Sequence, residues 1–497
     1  MKRKLIFNIL ILGALAGGIS SCTDLKDEEY DVINPTIFPR NADDADGLVT
    51  AAAYGPFVSN WYSGLFQSAS QGIQVYTEMS TDIGDCQWNN SYWPDVLNVN
   101  FTPNSWLPTQ TYTNYSNFIS KMTQTLGRLD DISMTEEERN NFKAQVYCGR
   151  GWLTYILYDL YGPVQLATPE QLSSGSDTPL PRASKEETVN QIKSDLEEAI
   201  KYLPDIYHQG DANYGRFSKA VAYTVLMKLY MHERDWKNAI ACGRELMQSK
   251  YGLKLMPHYK DIFTLENEGN SEIIYATVNS TSGNKQLWLA HVLPSEYPTQ
   301  NKSIQKWSGY RVKWNFYNTF DPSDERLQVL VGDFVGTDGV RYNEKNPGSV
   351  LFAGALPIKY GEDPSATGEE SQIDWIVFRY ADVLTLQAEA LVRDANAVTQ
   401  EAVDLLNQVH TRAGLKAFSL SDFATPESFL DSVLMERGHE LWFEGARRTD
   451  LIRYGRFIDY ARKYRGSTTA ADYMNLNPLP QAVIDEGRGQ VIQNEGY

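Results

Sequence analysis

The chain has 497 residues and a net charge of −18, with 63 acidic side chains against 45 Lys and Arg. It contains no basic run long enough to follow a phosphate backbone, so its composition excludes nucleic acid as a partner. The four cysteines, at positions 22, 86, 148 and 242, are widely and irregularly spaced, which is typical of neither a disulfide framework nor a zinc site. Eleven Trp and thirty Tyr contribute to an aromatic fraction of 12%, so stacking surfaces are worth seeking.

The N-terminus has the pattern of a secretory signal peptide. A basic start, Met-Lys-Arg-Lys, precedes an apolar run at 5–19 that is too short to span a bilayer comfortably. The run ends in Ile-Ser-Ser-Cys, which resembles the bacterial lipobox, in which the cysteine sulfur is acylated and the chain is cleaved before it. The sequence therefore predicts a signal peptide over residues 1–21 and lipidation of Cys22. The alternative is an ordinary signal peptide with a chance cysteine at its end.

Residues 22–40 form a predicted tether between the lipid and the folded domain. Five acidic residues lie in it, namely Asp24, Asp27, Glu28, Glu29 and Asp31. The segment resembles the export signal that sends some lipoproteins to the outer face of the outer membrane, although a solvated linker can be equally acidic. No later apolar segment is long enough to cross a bilayer. We therefore expect a protein that the lipid anchor holds on the outer membrane, exposed at the cell surface.

Two stretches of the mature chain have the pattern of tetratricopeptide-like helical hairpins, in which small residues lie where two helices cross. In 217–247 and in 378–415, apolar residues recur at helical spacing on both sides of a short turn. Hairpins of this kind cannot bury their apolar faces alone and must stack on one another. The sequence therefore predicts a mostly α fold, built on a helical-repeat scaffold.

A weaker pair of helices precedes these hairpins. The first covers 142–161, and the second covers 184–203. Ser184 and Glu187 have the spacing of a capping box, which satisfies the first free amides of a helix. The second helix is therefore predicted to begin immediately after Ser184.

Two long stretches interrupt the helical pattern. Residues 68–108 and 253–372 are rich in Gly, Asn, Ser, Thr, Pro and aromatic residues, with short β-prone pieces and no sustained helical period. We interpret them as irregular, β-containing excursions from one domain that covers residues 41–497. Loops far longer than a dozen residues are commonly functional, so the excursions are the first place to look for a site.

The most specific pattern lies near the C-terminus. Residues 436–455 read "ERxxELxFEGxRxxDLxRxG", a pattern that is similar to that of the SusD/RagB family of outer-membrane nutrient-binding lipoproteins. Residues 378–390 resemble the family's "RYAEVLLxxAEA" helix, and 407–414 resemble its "LNxVRxRAG" segment, with His410 and Thr411 as departures. The closing segment, 477–497, is similar to the family's "xPIP…QNPGY" ending, except that Glu495 replaces a proline. The resemblance extends over nearly the whole chain.

The resemblance implies four tetratricopeptide-like helix pairs, with the excursions packed on one side. It also implies a partner, a SusC-like TonB-dependent β-barrel transporter, on which the protein acts as a lid. Family members commonly bind oligosaccharides, and a branch of the family handles peptides. The resemblance implies no catalytic residue, and we expect neither a cofactor nor a metal site.

Carboxylates on the C-terminal pattern invite a catalytic interpretation. Glu436, Glu440 and Glu444 recur at four-residue steps, so they share one helical face and could act as acid and base. Glu and Arg at such spacing more often pair to fix helix packing, and we favour that structural interpretation. The sequence contains no His-Glu-x-x-His pair, no G-x-S-x-G elbow and no phosphate-binding glycine loop. We therefore predict a binding protein without catalytic residues.

The excursions contain the residues that suit a sugar ligand. Sugar rings stack on indole and phenol faces, and their hydroxyls bond amides and carboxylates. The first excursion supplies Asp85, Trp88, Asn89, Asn90 and Trp93, and the second supplies Trp288, Tyr297 and Trp307. We predict that Trp88 and Trp307 stack on the ligand and that the Asp and Asn side chains bond its hydroxyls. The alternative for each aromatic residue is a place in a packed loop core.

Three other functions compete with oligosaccharide capture. A peptide-binding member of the same family would share the scaffold and the transporter. A tetratricopeptide scaffold with only protein partners would explain the helix pairs but not the aromatic-rich excursions. A surface glycosidase would require a carboxylate pair that no motif marks. Neighbouring genes for carbohydrate enzymes or for peptidases would distinguish the two nutrient classes.

The anchor prediction is tested by replacing Cys22 with Ala. We expect the variant to leave the membrane fraction, because each acyl methylene contributes about 0.8 kcal/mol of membrane affinity and no other anchor is predicted. Fractionation of washed outer membranes, followed by immunoblotting, measures the change. Wild-type amounts of the variant in membranes from a strain that lacks the transporter would contradict the prediction.

Overall fold

The fold is a stack of helical hairpins that carries two excursions of mixed structure. The computed structural model describes residues 38–58, 72–88 and 92–497. The scaffold helices are α1 (Ala42–Val49), α4 (Trp106–Arg128), α5 (Glu136–Tyr161), α6 (Pro169–Ser173), α7 (Lys185–Tyr202), α8 (Lys219–His232), α9 (Trp236–Leu246), α12 (Tyr380–Ala395), α13 (Gln400–Arg412), α14 (Pro426–Leu441), α15 (Arg447–Arg453), α16 (Phe457–Arg465) and α17 (Gln481–Glu486). The excursions contain α2 (Ile73–Met79), α3 (Trp93–Leu97), α10 (Trp288–Val292) and α11 (Trp314–Tyr317). The predicted mostly α, helical-repeat class is confirmed.

The hairpins pack as the small residues predict. Helix α8 packs on α9, α12 packs on α13, and α9 also packs on α12, so the two hairpins stack directly on each other. Ala220, Ala239, Ala388 and Ala402 are fully buried at these contacts. Earlier in the chain, α5 packs against both α4 and α7. Residues Asn41–Tyr497 form one compact unit that contains all these helices.

Capping chemistry sets where two of the helices begin. The Ser184 hydroxyl accepts from the Glu187 amide at 3.1 Å, and the Glu187 carboxylate accepts from the Ser184 amide at 2.7 Å, which confirms the predicted capping box before α7. Helix α5 begins at Glu136, before the predicted residue 142, behind a second capping box between Thr135 and Glu138. Its first turn is polar and exposed, so apolar periodicity could not reveal it.

Within the described residues, the strands form four antiparallel pairs. They are β1 (Gly84–Cys86) with β3 (Tyr310–Val312), β2 (Ile273–Thr277) with β8 (Trp375–Arg379), β4 (Leu330–Val331) with β7 (Leu356–Pro357), and β5 (Asp333–Val335) with β6 (Arg341–Asn343). Both β2 and β8 are buried along their whole length. The β2–β8 pair joins the start of the second excursion to its end, where the chain enters α12.

The first excursion contains a helix that its sequence does not reveal. All seven residues of α2 are buried, including Gln74, Thr77 and Glu78, and the helix is too short to leave a sustained helical period in the sequence. Across residues 38–58, 72–88 and 92–497, no helix combines the length and apolar character needed to span a membrane.

Helix α14 carries the first part of the C-terminal pattern, and its carboxylates are buried in ion pairs. Glu436 pairs with Arg326 at 2.6 Å and with the His410 ring at 2.7 Å. Glu440 is fully buried and pairs with Arg326, Arg379 and Arg412. Burial opposes ionisation of Glu436, but Arg326 and His410 outweigh it and lower its pKa to about 2.

Beyond α14 the network continues through Glu444, which pairs with Lys359 at 2.6 Å and with Arg379 at 2.7 Å. Burial lowers the pKa of Lys359 to about 8 against the opposing effect of Glu444. Each carboxylate of the Glu436, Glu440 and Glu444 series is thus buried and bonded to cations. This arrangement fits the structural interpretation and leaves none of the three free for acid and base chemistry.

Replacing Glu444 with Gln should destabilise the fold by about 3 kcal/mol or more, because Lys359 and Arg379 would lose a buried counter-charge. The matched control is Glu198→Gln, which removes an exposed carboxylate paired with Lys201 on α7 and should cost about 1 kcal/mol or less. Urea unfolding curves of both variants measure the difference. Equal unfolding free energies for the two variants would refute a structural role for Glu444.

Candidate functional site

The β1–β3 pair brings the two excursions together. Asp85 lies opposite Arg311, and Cys86 lies opposite Tyr310. One residue further, the backbone amide of Gln87 donates to the carbonyl oxygen of Gly309 at 2.9 Å. This short ladder places the polar aromatic stretch after β1 beside the turn that precedes β3, although more than two hundred residues separate them in the chain.

Trp88 and Trp307 meet at this junction. The Trp88 indole Nε1 donates to the carbonyl oxygen of Trp307 at 2.9 Å. The ring lies flat over Gly309, where an added Cβ would fall 2.4 Å from the Trp88 Cζ2 atom. Glycine is therefore required at this position for the ring to approach the backbone. Both tryptophans are half-buried, so each retains an accessible part.

His291 lies beneath the two indoles. Its ring centroid is 5.3 Å from that of Trp88 and 4.7 Å from that of Trp307, and it stacks on Tyr310 at 5.4 Å. Its Nδ1 lies 2.8 Å from the carbonyl oxygen of Leu287 and must therefore carry the proton. Burial lowers the pKa of His291 to about 4, so the ring is neutral at physiological pH. His291 thus supports the indoles as an uncharged aromatic ring.

Two of the predicted ligand-binding residues are buried. Trp93 is 0% exposed and Trp288 is 4% exposed. Trp93 packs edge-on against Tyr310, and Trp288 packs against both Tyr310 and Phe443. Neither indole presents a face to a ligand, so in this structure both belong to the packed core beneath the site. This corrects the direct contact expected from the sequence.

The remaining predicted residues occupy different positions. The Asp85 carboxylate is half-buried and pairs with Lys313 at 3.0 Å. Tyr297 is half-buried and packs edge-on against Phe334 at 5.1 Å. The sites predicted at Asn89, Asn90 and Cys22 lie outside the described residues.

The sequence analysis did not identify several residues at the junction. The side-chain nitrogen of Gln87, Nε2, donates to the Ser308 hydroxyl at 3.3 Å. The buried Gln87 Oε1 has no hydrogen-bond partner within residues 38–58, 72–88 and 92–497. Arg311 is fully buried and holds the turn through Ser308. No local pattern identifies these residues, because their partners come from the other excursion or from distant turns.

A second pair of aromatic rings lies near the start of α4. Tyr92 stacks on Trp106 at 5.0 Å, and Trp106 is 38% exposed. Trp106 lies within the predicted first excursion, 68–108, but the sequence analysis did not select it, and in the structure it begins helix α4. Tyr92 also contacts Trp93 at 5.3 Å, which connects this pair to the aromatic core under Trp88.

A cavity of about 90 Å³ lies among the helices, away from the junction. Its lining includes Trp152, Phe378, Lys228, Asp382 and Asp159. Lys228 pairs with Asp382 at 2.5 Å, so much of its charge is already neutralised. The cavity has room for a few water molecules and is smaller than an engineered cavity of roughly 150 Å³ that holds benzene. An oligosaccharide would not fit it.

The junction has the chemistry of a binding surface. Trp88 and Trp307 are both half-buried, and the side-chain amide of Gln87 bonds Ser308, the residue after Trp307. The Asp85 carboxylate lies on β1, three residues before Trp88, and pairs with Lys313. His291 is buried and neutral and Asp85 is paired with a lysine, so neither is placed as a general acid or base. In the part of the chain that the structure describes, no group of three or more His, Cys, Asp or Glu side chains could hold a metal ion.

Two family models match this chain. The model described as the SusD family matches residues 262–497, and the model described as starch-binding associating with outer membrane matches residues 53–231. The first match contains the residues around Trp307, and the second contains those around Trp88.

Curated relatives and solved structures agree with these matches. The SusD-like protein P25 of Formosa agariphila is 30% identical over 404 residues, which cover 70% of this chain and 71% of the relative. The starch-binding protein SusD of Bacteroides thetaiotaomicron is 22% identical over 575 residues, with 99% of each chain covered. The surface glycan-binding protein A of the same organism, solved with laminarihexaose, superposes with a TM-score of 0.73 at 19% identity, over 91% of this chain and 99% of that one. The last comparison shows a shared fold.

Proposed function

The chain belongs to the SusD family, and from this premise we propose that it is a surface lipoprotein that binds an oligosaccharide and delivers it to a TonB-dependent transporter of the outer membrane. The observation that carries the binding proposal is the meeting of Trp88 and Trp307 at the junction of the two excursions. The indoles come from the two excursions, more than two hundred residues apart in the chain, and both are half-buried.

The geometry of this junction suits a sugar better than a purely apolar ligand. Indole faces stack on the C–H groups of a pyranose ring, while amides and carboxylates at the edge bond its hydroxyls. Packing fixes the positions of the two indoles, because Trp88 packs on the Gly309 backbone and both indoles contact His291. A preorganised surface loses little conformational entropy when a flexible oligosaccharide binds.

The relatives support the same ligand class. One relative is named as starch-binding, and one solved neighbour holds laminarihexaose. Both names describe glucans, and neither name includes an enzyme activity. We propose that this chain, like them, performs capture without covalent chemistry, which fits the pairing of Glu436, Glu440 and Glu444 with buried cations.

Delivery and anchoring are proposed from the resemblance and from the family model described as associating with the outer membrane. Lipidation of Cys22 would hold the domain beside its transporter. Copurification of a SusC-like transporter with the tagged protein from detergent-solubilised membranes tests this part. Recovery of the tagged protein without any outer-membrane transporter would count against delivery while leaving capture untouched.

The binding proposal is tested by replacing Trp88 and Trp307 with Ala, one at a time. We expect each change to weaken binding of the best oligosaccharide by about 1 to 3 kcal/mol, the scale of a large, well-packed contact residue. Isothermal titration against a panel of oligosaccharides and peptides measures both the affinity and the class of ligand. Thermal melts of each variant separate lost contacts from lost folding.

The matched control is Tyr202→Ala, which removes an exposed aromatic side chain from α7 of the scaffold. Its affinity should equal that of the wild type. If both tryptophan variants also retain wild-type affinity, the site lies elsewhere. If the wild type binds peptides and no oligosaccharide, the chain is a peptide-binding member of the family and the ligand class proposed here is wrong.

A further inference from the structure

The segment around Trp307 is cationic, although the protein is acidic. From Tyr297 to Phe320 the chain has no acidic residue. The same segment contains four cations, Lys302, Lys306, Arg311 and Lys313. The chain as a whole carries a net charge of −18, which repels anions at long range. A local excess of positive charge in such a protein therefore favours anions at one place on its surface.

Arg311 is a buried cation without an acidic partner. Its side chain is 0% exposed, and its guanidinium donates to the Ser308 hydroxyl at 2.7 Å and to the carbonyl oxygens of Val292, Tyr310 and Val350. Among the residues that the structure describes, no carboxylate oxygen lies within 4.0 Å of this guanidinium. Burial lowers the pKa of Arg311 to about 9, which reflects the cost of an uncompensated charge in the interior.

Lys302 and Lys306 are also without an acidic partner within ion-pairing distance in the described part of the chain. The Lys306 ammonium donates to the carbonyl oxygen of Tyr297 at 2.6 Å, and that of Lys302 donates to the carbonyl oxygen of Thr299. Each ammonium has three N–H donors, and one of them bonds a carbonyl oxygen here. Lys302 is exposed, and Lys306, which precedes Trp307 in the chain, is half-buried. Both retain donors for a ligand.

The acidic residues nearby do not cancel this charge. Asp85 lies opposite Arg311 across the ladder, but its carboxylate pairs with Lys313 at 3.0 Å and lies 3.8 Å from Arg465. Glu362 accepts from the backbone amides of residues 300 and 301 at 2.9 and 3.0 Å. Burial and the like charge of Lys302 lower the pKa of Lys306, in spite of the opposing effects of Glu362 and Glu296.

We propose that the oligosaccharide bound at Trp88 and Trp307 carries anionic groups, either uronic acid carboxylates or sulfate esters, which bond Lys302 and Lys306. This inference rests on the proposed function and adds the charge of the ligand to it. An anionic group beside Lys306 would form charge-assisted hydrogen bonds, which are roughly twice as strong as neutral ones.

The proposal is tested with the double variant Lys302→Gln/Lys306→Gln. We expect its affinity for an acidic oligosaccharide to fall by about three- to tenfold, the scale of two partly exposed ion pairs. The wild-type affinity should also fall when the salt concentration rises to about 1 M, where the screening length is ~3 Å. The probes are uronic acid oligosaccharides and sulfated oligosaccharides, each compared with its carboxyl-reduced or desulfated counterpart. These arms distinguish the two sources of negative charge.

The control is Lys201→Gln/Lys250→Gln, which removes the same charge from α7 and from the turn after α9, where both lysines already pair with glutamates. The control should leave affinity unchanged. The wild type could instead bind a neutral glucan tightly, with an affinity that falls in Trp88→Ala but does not change in Lys302→Gln/Lys306→Gln or at high salt. This result would overturn the anionic ligand and leave the proposed function in place. Wild-type affinity of Trp88→Ala and Trp307→Ala for every bound probe would overturn both.

Discussion

The ion pair between Arg379 and Glu440 is the interaction on which the arrangement of this fold depends. Arg379 ends β8 and leads into α12, and Glu440 lies on α14; both are fully buried, and Arg379 also bonds Glu272 beside β2. A buried pair offers uncertain net stability, because desolvation offsets its attraction, but the loss of one partner leaves a charge that nothing compensates. Only one register of β2, β8 and α14 satisfies these groups together. The network therefore specifies the arrangement more than it adds to the stability.

The same C-terminal region also fixes the first excursion. Arg447, in α15, pairs with Asp82 at 2.7 Å. Arg465, at the end of α16, donates to the carbonyl oxygens of Thr81 and Gly84 at 2.8 and 2.6 Å. These bonds hold the residues that enter β1, and β1 in turn pairs with β3 of the second excursion. The C-terminal region thus helps to position the first excursion, whose Trp88 we propose to contact a ligand.

The hairpins could be predicted from the sequence, because alanines at helical spacing identify a helix crossing wherever it occurs. The start of α5 and the whole of α2 could not, since α5 is polar throughout its first turn and α2 is seven residues long, too short for a sustained period. At the site, polar and irregular surroundings selected Trp88 and Trp307, and the structure brings these two together. The same criterion selected Trp93 and Trp288, whose burial depends on Tyr310 and other distant partners that no local pattern reveals.

The most direct test of this account is a crystal structure of the protein with its tightest-binding oligosaccharide. The account predicts a sugar ring against the accessible faces of Trp88 and Trp307, while His291 and the Gly309 backbone keep the positions described here. The helices of the scaffold should not move, because their charged groups are already paired. A ligand bound among the helices, or on a surface that leaves both indoles open to solvent, would contradict the account.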